Sequence, residues 1–226
     1  MSKKNNISIT PPNTTFPKDW KILPLSALGT FSKGKGILKD QVLESGLPCV
    51  RYGEIYTRHE YIIKEFHSFI SKEVAEESQE IKKNVILFAG SGETLEEIGK
   101  AVAYIGSETA YAGGDVIILK LNAGIDPIYL SYALNSDFVN WQKRRFGQGH
   151  SVVHIYSSDL ANLHVPCAPL PEQKKIAEIL SLWDTAIEIT EKLSAKKEPR
   201  SVGQLQIQKR GLMQVLLTGK KRVKIK

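Results

Sequence analysis

The sequence predicts an α+β fold: a globular mixed-sheet domain followed by a long C-terminal helical region of coiled-coil character. Three observations carry that reading. Between Trp20 and Pro169, short β-branched runs alternate with glycine-containing turns, which is the pattern of strands. Inside that region, Pro127–Phe146 instead carries apolar residues at near-helical spacing. At Pro169 the composition changes and a coiled-coil seam begins.

Residues 1–18, rich in Asn, Thr, Pro and Lys, read as a flexible leader. Over residues 19–169 the candidate strands are Cys49–Ile55, Tyr61–Ile63, Val85–Ala89, Ala101–Ile105, Val116–Leu121 and Val152–Ile155. Each is short and bounded by turn residues. One helix is expected over 127–146, because Ile128, Leu130, Tyr132, Leu134, Phe138 and Trp141 recur on one side. Asp126 supplies a capping oxygen before Pro127 at the first helical position.

Pro169-Leu170-Pro171-Glu172 opens the helical region over 170–219. Pro171 suits the first turn, and the helix dipole favours Glu172 there. Ile176, Ile179, Trp183, Ala186, Thr190, Leu193 and Lys197 alternate by three and four, and Leu180 and Ile187 widen the stripe. A helix over 171–198 would be about 42 Å long at 1.5 Å per residue. That seam, through Ile176, Ile179, Leu180, Trp183, Ile187 and Leu193, suits a partner helix or dimer. The alternative is a terminal helix packed on its own domain. A break is expected near 199–203, at Pro199 and Gly203. A second amphipathic stretch then runs through Leu205, Leu212, Met213, Leu216 and Leu217 to a stop at Gly219, with a basic tail over 220–226.

The formal charge of +7 and a pI near 9.2 make a polyanionic partner plausible. The surplus is local. From Lys196 onward there are ten basic residues and one acidic residue, whereas the first 195 residues carry 21 basic and 23 acidic ones. Net charge therefore says little about the body of the chain.

Cys49 and Cys167 are far apart in apolar or proline-flanked settings, as expected of reduced, buried thiols. The five histidines are scattered without zinc-ligand spacing, so no metal site is expected. Apolar runs such as Val116–Leu119 are too short to span a bilayer, and the polar N-terminus lacks a signal-like apolar core. A cytoplasmic location is expected.

Three segments could carry chemistry. In Arg51-Tyr52-Gly53-Glu54-Ile55-Tyr56-Thr57-Arg58, arginines and tyrosines interleave where a strand is expected to run into a turn. Arg forks match guanine edges, and Glu accepts from the cytosine amine. The alternative is a surface strand with one polar face. In Phe88-Ala89-Gly90-Ser91-Gly92-Glu93-Thr94, a phosphate-loop reading fails: no Gly-Lys-Ser/Thr closes it, and Glu93 would repel phosphate. An exposed loop lying close to a partner fits better. In Lys143-Arg144-Arg145-Phe146-Gly147-Gln148-Gly149-His150-Ser151, long donors are threaded through two glycines after a helix end. Such a loop can reach phosphates and bases; the same cations also complement a helix C-terminus.

Catalytic constellations are absent or broken. Asp126-Pro127-Ile128-Tyr129 approaches the Asp/Asn-Pro-Pro-Tyr motif of DNA adenine methyltransferases, but lacks the second proline and a preceding cofactor loop. No nucleophile elbow is found.

In their order, several stretches resemble the specificity subunit of type I restriction-modification systems. They are Pro48–Tyr56, Ile86–Thr94, Tyr111–Val116, Gly147–Val152, Leu170-Pro171-Glu172-Gln173 running on to Leu180, and Gly211-Leu212-Met213-Gln214 continuing to Lys220. The likeness covers nearly everything after Trp20, and the Leu-Pro-Glu-Gln helix start is its most specific piece. The resemblance implies target-recognition domains that each read one half of a bipartite DNA site, joined by helices in an antiparallel coiled coil. It implies that the helices dock modification subunits, which bind S-adenosylmethionine and methylate adenine, and that restriction subunits join through them. It implies no catalytic centre and no cofactor on this chain.

Set against the resemblance, the chain looks like half of the usual subunit, with one recognition domain over 19–169. A two-fold homodimer could restore the other half on a symmetric, interrupted palindrome. Residue chemistry and loop position nominate Arg51, Tyr52, Glu54, Tyr56, Arg58, Ser91, Glu93, Gln148, His150 and Ser151 as contacts to double-stranded DNA, mainly to bases. Lys33, Lys35, Arg144 and Arg145 are nominated for phosphates. The alternatives are a stand-alone DNA methyltransferase or nuclease, or an inactive truncated specificity-gene product.

Overall fold

A computed structural model of the chain describes residues 14–147, 152–194 and 199–225. In chain order the strands and helices are β1 (Lys21–Pro24), α1 (Leu25–Leu28), β2 (Gly29–Lys33), β3 (Leu47–Val50), α2 (Tyr52–Thr57), β4 (Ser68–Ile70) and α3 (Lys72–Glu77). There follow β5 (Gln79–Ile81), β6 (Val85–Ala89), β7 (Ser91–Gly92), β8 (Ala101–Tyr104), β9 (Ala110–Ala112) and β10 (Val116–Leu121). The chain continues through α4 (Pro127–Leu134), α5 (Asp137–Phe146), β11 (Val153–His154), α6 (Ser157–Leu160), β12 (His164–Cys167), α7 (Leu170–Ser194) and α8 (Pro199–Leu216).

Two four-stranded sheets form the body. One is antiparallel in the order β2-β10-β6-β8; the other, β4-β3-β9-β5, is mixed, with β3 and β9 parallel. The first sheet is covered on both faces, which explains its unbroken apolar runs. Ile86 and Phe88 of β6 join Tyr129, Leu130 and Leu134 of α4 in one core. The intervening Val85, Leu87 and Ala89 pack with Val50, Ile81 and Ala112 of the second sheet. β10 divides the same way, with Ile117 and Leu119 on one side and Val116 and Ile118 on the other. A helix layer, the central sheet and the second sheet thus stack as an α+β domain.

Several expected elements stand: β6 and β10 occupy the expected ranges, and β8 and β11 fall within theirs. The strand expected over 49–55 ends at Val50, because Glu54 reaches back to the Arg51 backbone N–H (2.9 Å) and starts α2 instead. Tyr61–Ile63 contributes only a bridge, Ile62 to Ala103. The single helix expected over 127–146 is two. Asn135 turns its amide to both backbone groups of Ala101, at 2.7 and 3.1 Å, and so caps the central sheet where a helix would have continued. Asp126 does cap α4, accepting from Tyr129 N at 2.8 Å.

α7, 25 residues long, and α8 run antiparallel, with Glu191 near Gln206, Asp184 near Lys209 and Glu172 near Arg222. Pro199 is the first residue of α8, and Gly203 lies inside it rather than breaking it; 195–198 lie outside the described residues. The hairpin overturns the partner-helix reading for half of the seam. Ile176, Leu180 and Ile187 are buried within the chain, Ile179 and Trp183 are half-buried, and only Leu193 is open, at 77% exposure. Ile176 and Leu180 share a core with Tyr129 and Tyr132 of α4 and with Met213, Leu216 and Leu217 at the end of α8.

The segments flanking β1 and α8 are fastened to this core. Phe16 stacks edge-on to Phe138 at 5.0 Å, and Pro17 lies against Gly219, whose φ of +67° ends the hairpin. Of the expected leader, 1–13 lie outside the described residues. In the tail, Arg222 is engaged in ion pairs instead of standing free.

Candidate nucleic-acid interface

Backbone hydrogen bonds gather five segments at one end of the two sheets. Gly34 N donates to Val116 O (2.7 Å), Lys35 N to Ala112 O (3.0 Å) and Gly113 N to Val50 O (2.9 Å). Gly90 N donates to Asp115 O (2.9 Å), and Ile155 N to Gly90 O (3.0 Å). The approach is close enough to require glycine: a Cβ on Gly34 would lie 1.9 Å from Gly113 O. The sequence segments 51–58, 90–94 and 111–116, dispersed along the chain, therefore meet on a rigid sheet end together with residues 33–35.

Side chains at this end divide into exposed and internal. Lys33 and Lys35 are exposed, and Lys33 Nζ lies 3.9 Å from Asp115 Oδ1. Tyr52 is exposed on α2, Arg58 is exposed at its C-cap beside a cleft shared with Glu188 of α7, and Glu93 is exposed beyond β7. These five remain available to a ligand.

Three of the residues nominated for bases are turned inward. Glu54 is 7% exposed; its carboxylate accepts from the Arg51 backbone and from Ser68 Oγ. Arg51 is half-buried, with Nη2 3.4 Å from Ser68 Oγ and 3.8 Å from Glu54. Tyr56 is half-buried, and burial pushes its hydroxyl pKa up. Among the described residues, Tyr56 Oη and Arg51 Nε are buried without a hydrogen-bond partner. The cause is α2: helical periodicity turns positions 51, 54 and 55 towards the sheet, where an extended strand would have alternated them. Beside this cluster burial pushes the Cys49 thiol up to about 12 and holds the His59 imidazole down to about 4. Cys49 is thus an unreactive core thiol.

Ser91 is also buried, at 2% exposure, yet it lies at the centre of the convergence. Its Oγ is 3.0 Å from His154 Nδ1 and 3.4 Å from Asp115 Oδ2. Sequence reasoning passed over both partners. Asp115 lies in the Tyr111–Val116 stretch, but nothing local gives it a role, and the pairing of β7 with β11, Ser91 opposite His154, spans 63 residues.

Arg144 and Arg145 are exposed in the last turn of α5. Arg145 lies over the Trp141 ring at 4.6 Å. Arg144 lines a groove between the sheet domain and the hairpin, with Glu96, Glu97, Trp141, Arg210 and Lys220. The nominated Gln148, His150 and Ser151 lie outside the described residues. Among the described residues, no cluster of three or more His, Cys, Asp or Glu side chains could hold a metal ion, and no helix is long and apolar enough to cross a membrane.

Comparison with known proteins converges on one family. The chain is 27% identical over 179 residues to the type I restriction enzyme MjaVIII specificity subunit of Methanocaldococcus jannaschii, covering 76% of this chain and 37% of that protein. It is 25% identical over 195 residues to the type I restriction enzyme StySPI specificity subunit of Salmonella potsdam, covering 81% of this chain and 39% of that protein. Its fold is similar to the type I restriction-modification S subunit from M. genitalium, with a TM-score of 0.54 and 19% identity over 85% of this chain and 43% of that one. The chain thus spans less than half the length of each relative. The model of the type I restriction modification DNA specificity domain matches residues 17–198, most of the sequence and both sheets, and on that match the chain belongs to the type I restriction-modification specificity family.

Proposed function

We propose that the chain is a non-catalytic DNA-recognition subunit that reads one half of a bipartite site in double-stranded DNA. Five segments held at one sheet end, with Lys33, Lys35, Tyr52, Arg58 and Glu93 exposed among them, carry this reading. Flexible cations would position the phosphates and the remaining side chains would meet base edges. Family membership supports the delegation of chemistry to partners: modification subunits binding S-adenosylmethionine, and restriction subunits joining through them, in the cytoplasm.

Two copies related by a two-fold axis would present two such ends. The surface proposed for that pairing is the outer row of α7. Leu182, Ala186, Ile189 and Leu193 alternate by four and three and are exposed, at 62% for Leu182 and 53% for Ile189. This spacing makes a coiled-coil seam distinct from the one the hairpin covers.

Site selection from random duplexes tests the recognition role, and it should enrich a defined sequence. Lys35→Ala should weaken all duplexes alike and lower the salt slope by roughly 0.9. Loss at a single base position would contradict a phosphate contact. Light scattering of the chain, alone and with a modification subunit, tests the assembly: a monomer in both cases overturns the dimer, and Ile189→Glu should dissociate it. Methyl transfer to DNA by the isolated chain would overturn the division of labour.

A further inference from the structure

Ser91 has one hydroxyl proton and two neighbours that could take it. Asp115 Oδ2 is 3.4 Å away and His154 Nδ1 is 3.0 Å away. The other Asp115 oxygen, Oδ1, faces Lys33 Nζ at 3.9 Å. This is not a hydrolytic triad, in which the imidazole stands between hydroxyl and carboxylate. Here the serine is in the middle and 2% exposed.

The arrangement fixes where the protons sit. An ionised carboxylate can only accept, and charge-assisted hydrogen bonds are roughly twice as strong as neutral ones. The Ser91 proton therefore goes to Asp115, and the bond to His154 needs a proton from the imidazole. His154 holds it on Nδ1, which leaves Nε2 as a bare acceptor. Among the described residues nothing hydrogen-bonds to that Nε2, and the ring is only half-buried. The support is rigid: His154 pairs with Ser91 in the β7–β11 ladder, Ile155 N bonds Gly90 O, and Gly90 N bonds Asp115 O.

We infer that His154 is a specificity-determining residue that reads an amine-bearing base, adenine through N6 or cytosine through N4, with its Nε2 acceptor set by the Asp115–Ser91 relay. The inference rests on the DNA-reading role proposed above and names one contact within it. Guanine and thymine present carbonyl oxygens at the corresponding major-groove positions, so they would meet a lone pair with a lone pair.

The relay can be inverted by one substitution. In Asp115→Asn the amide oxygen stays with Lys33, and its NH2 faces Ser91 Oγ. Ser91 must then donate to His154 Nδ1, the imidazole proton moves to Nε2, and the acceptor becomes a donor. Random-duplex selection with the full chain at pH 8 reads the result. The expected outcome is one position at which wild type prefers A or C by about tenfold and D115N prefers G or T, with the other positions unchanged. His154→Asn, which can still donate to Ser91 but has nothing in place of Nε2, should lose preference at that same position.

Long-range 15N–1H correlation on the wild-type chain gives the tautomer independently of any variant's stability, with His154 assigned by the signal missing in H154N. An Nδ1–H tautomer is expected. An Nε2–H tautomer, a D115N consensus identical to wild type, or a uniform loss at every position each overturns the assignment. A wild-type chain that selects no sequence overturns the DNA-reading role itself, and that outcome is distinct from a consensus indifferent to residue 115.

Discussion

Arg222 closes on Glu172 with a full fork, Nε to Oε1 and Nη2 to Oε2, each at 2.8 Å. The remaining edge holds Asp19 at 3.0 and 2.8 Å, and Trp20 Nε1 donates to Glu172 Oε2 at 3.1 Å. Glu172 is 1% exposed. Its neighbour Gln173 accepts from Asp126 N at 2.9 Å and donates to Ala168 O at 2.8 Å. The Leu-Pro-Glu-Gln helix start is therefore a fastener: Glu172 binds Trp20 ahead of β1 and Arg222 beyond α8, and Gln173 binds the loop before α4.

Arg222→Ala should lower the urea midpoint, because it leaves the buried Glu172 carboxylate with Trp20 Nε1 as its remaining side-chain donor among the described residues. Arg222→Lys should lose less, keeping the charge but not the bidentate geometry. An unchanged midpoint in both variants would place the pair among ordinary surface bridges.

Glu54→Ala separates the internal reading of α2 from the base-contact reading. It removes the reach-back to Arg51 and leaves Ser68 Oγ and Arg51 Nη2 short of a partner. A loss of roughly 2–3 kcal/mol is expected, with the selected DNA sequence unchanged. A shifted preference at one base position, at undiminished stability, would show that Glu54 reads DNA after all.

What was legible in the sequence follows the range of the forces. β6 and β10 could be read because burial on both faces demands continuous apolar residues, and Asp126 because a cap acts within one turn. Residues 51–56 misled because a half-polar segment before a glycine suits a strand or a short helix alike; Glu54 decides it through a contact three residues away. Ser91 and Asp115 lie in stretches the sequence singles out, but their meeting with His154 had no local trace, since it depends on the β7–β11 register. The seam on α7 was real, but periodicity cannot say whether the covering helix comes from the same chain. Its buried half is covered by the chain's own α4 and α8, while Leu193 stays open.

Lys143 is 1% exposed, beside Gly99, and among the described residues its Nζ reaches only Asn140 Oδ1, at 3.3 Å. Burial pushes its pKa down to about 7. Between that value and the ordinary value near 10.5 the unfolded chain binds the extra proton, so this group makes stability rise with pH across that window. Below pH 7 the full penalty is present. Lys143→Met should therefore stabilise the protein at pH 7 by roughly 3–5 kcal/mol, and the gain should shrink towards pH 10. Denaturation midpoints of both proteins across that range check the sign; a gain that grows with pH refutes it.

Lys209 joins the hairpin to the sheet domain. It is 6% exposed, pairs with Asp184, and lies 4.0 Å from the Tyr61 ring centre and 5.3 Å from that of Tyr132. Tyr132 Oη also donates to Asp184, so a single carboxylate links α7, α8 and α4. Lys209→Met keeps the aliphatic length and removes the cation, leaving Asp184 with Tyr132 and Ser181 nearby. The loss should be local, because β6 and β10 are buried on both faces by two cores, whereas α8 joins only one of them, through Met213, Leu216 and Leu217 at its end. Amide exchange should accelerate about tenfold or more across α8, matching a loss of 1.4 kcal/mol or more, while the central sheet stays protected. Equal acceleration in β6 and β10 would mean that hairpin and sheets open as one unit, and that Lys209 contributes to global stability rather than to the junction.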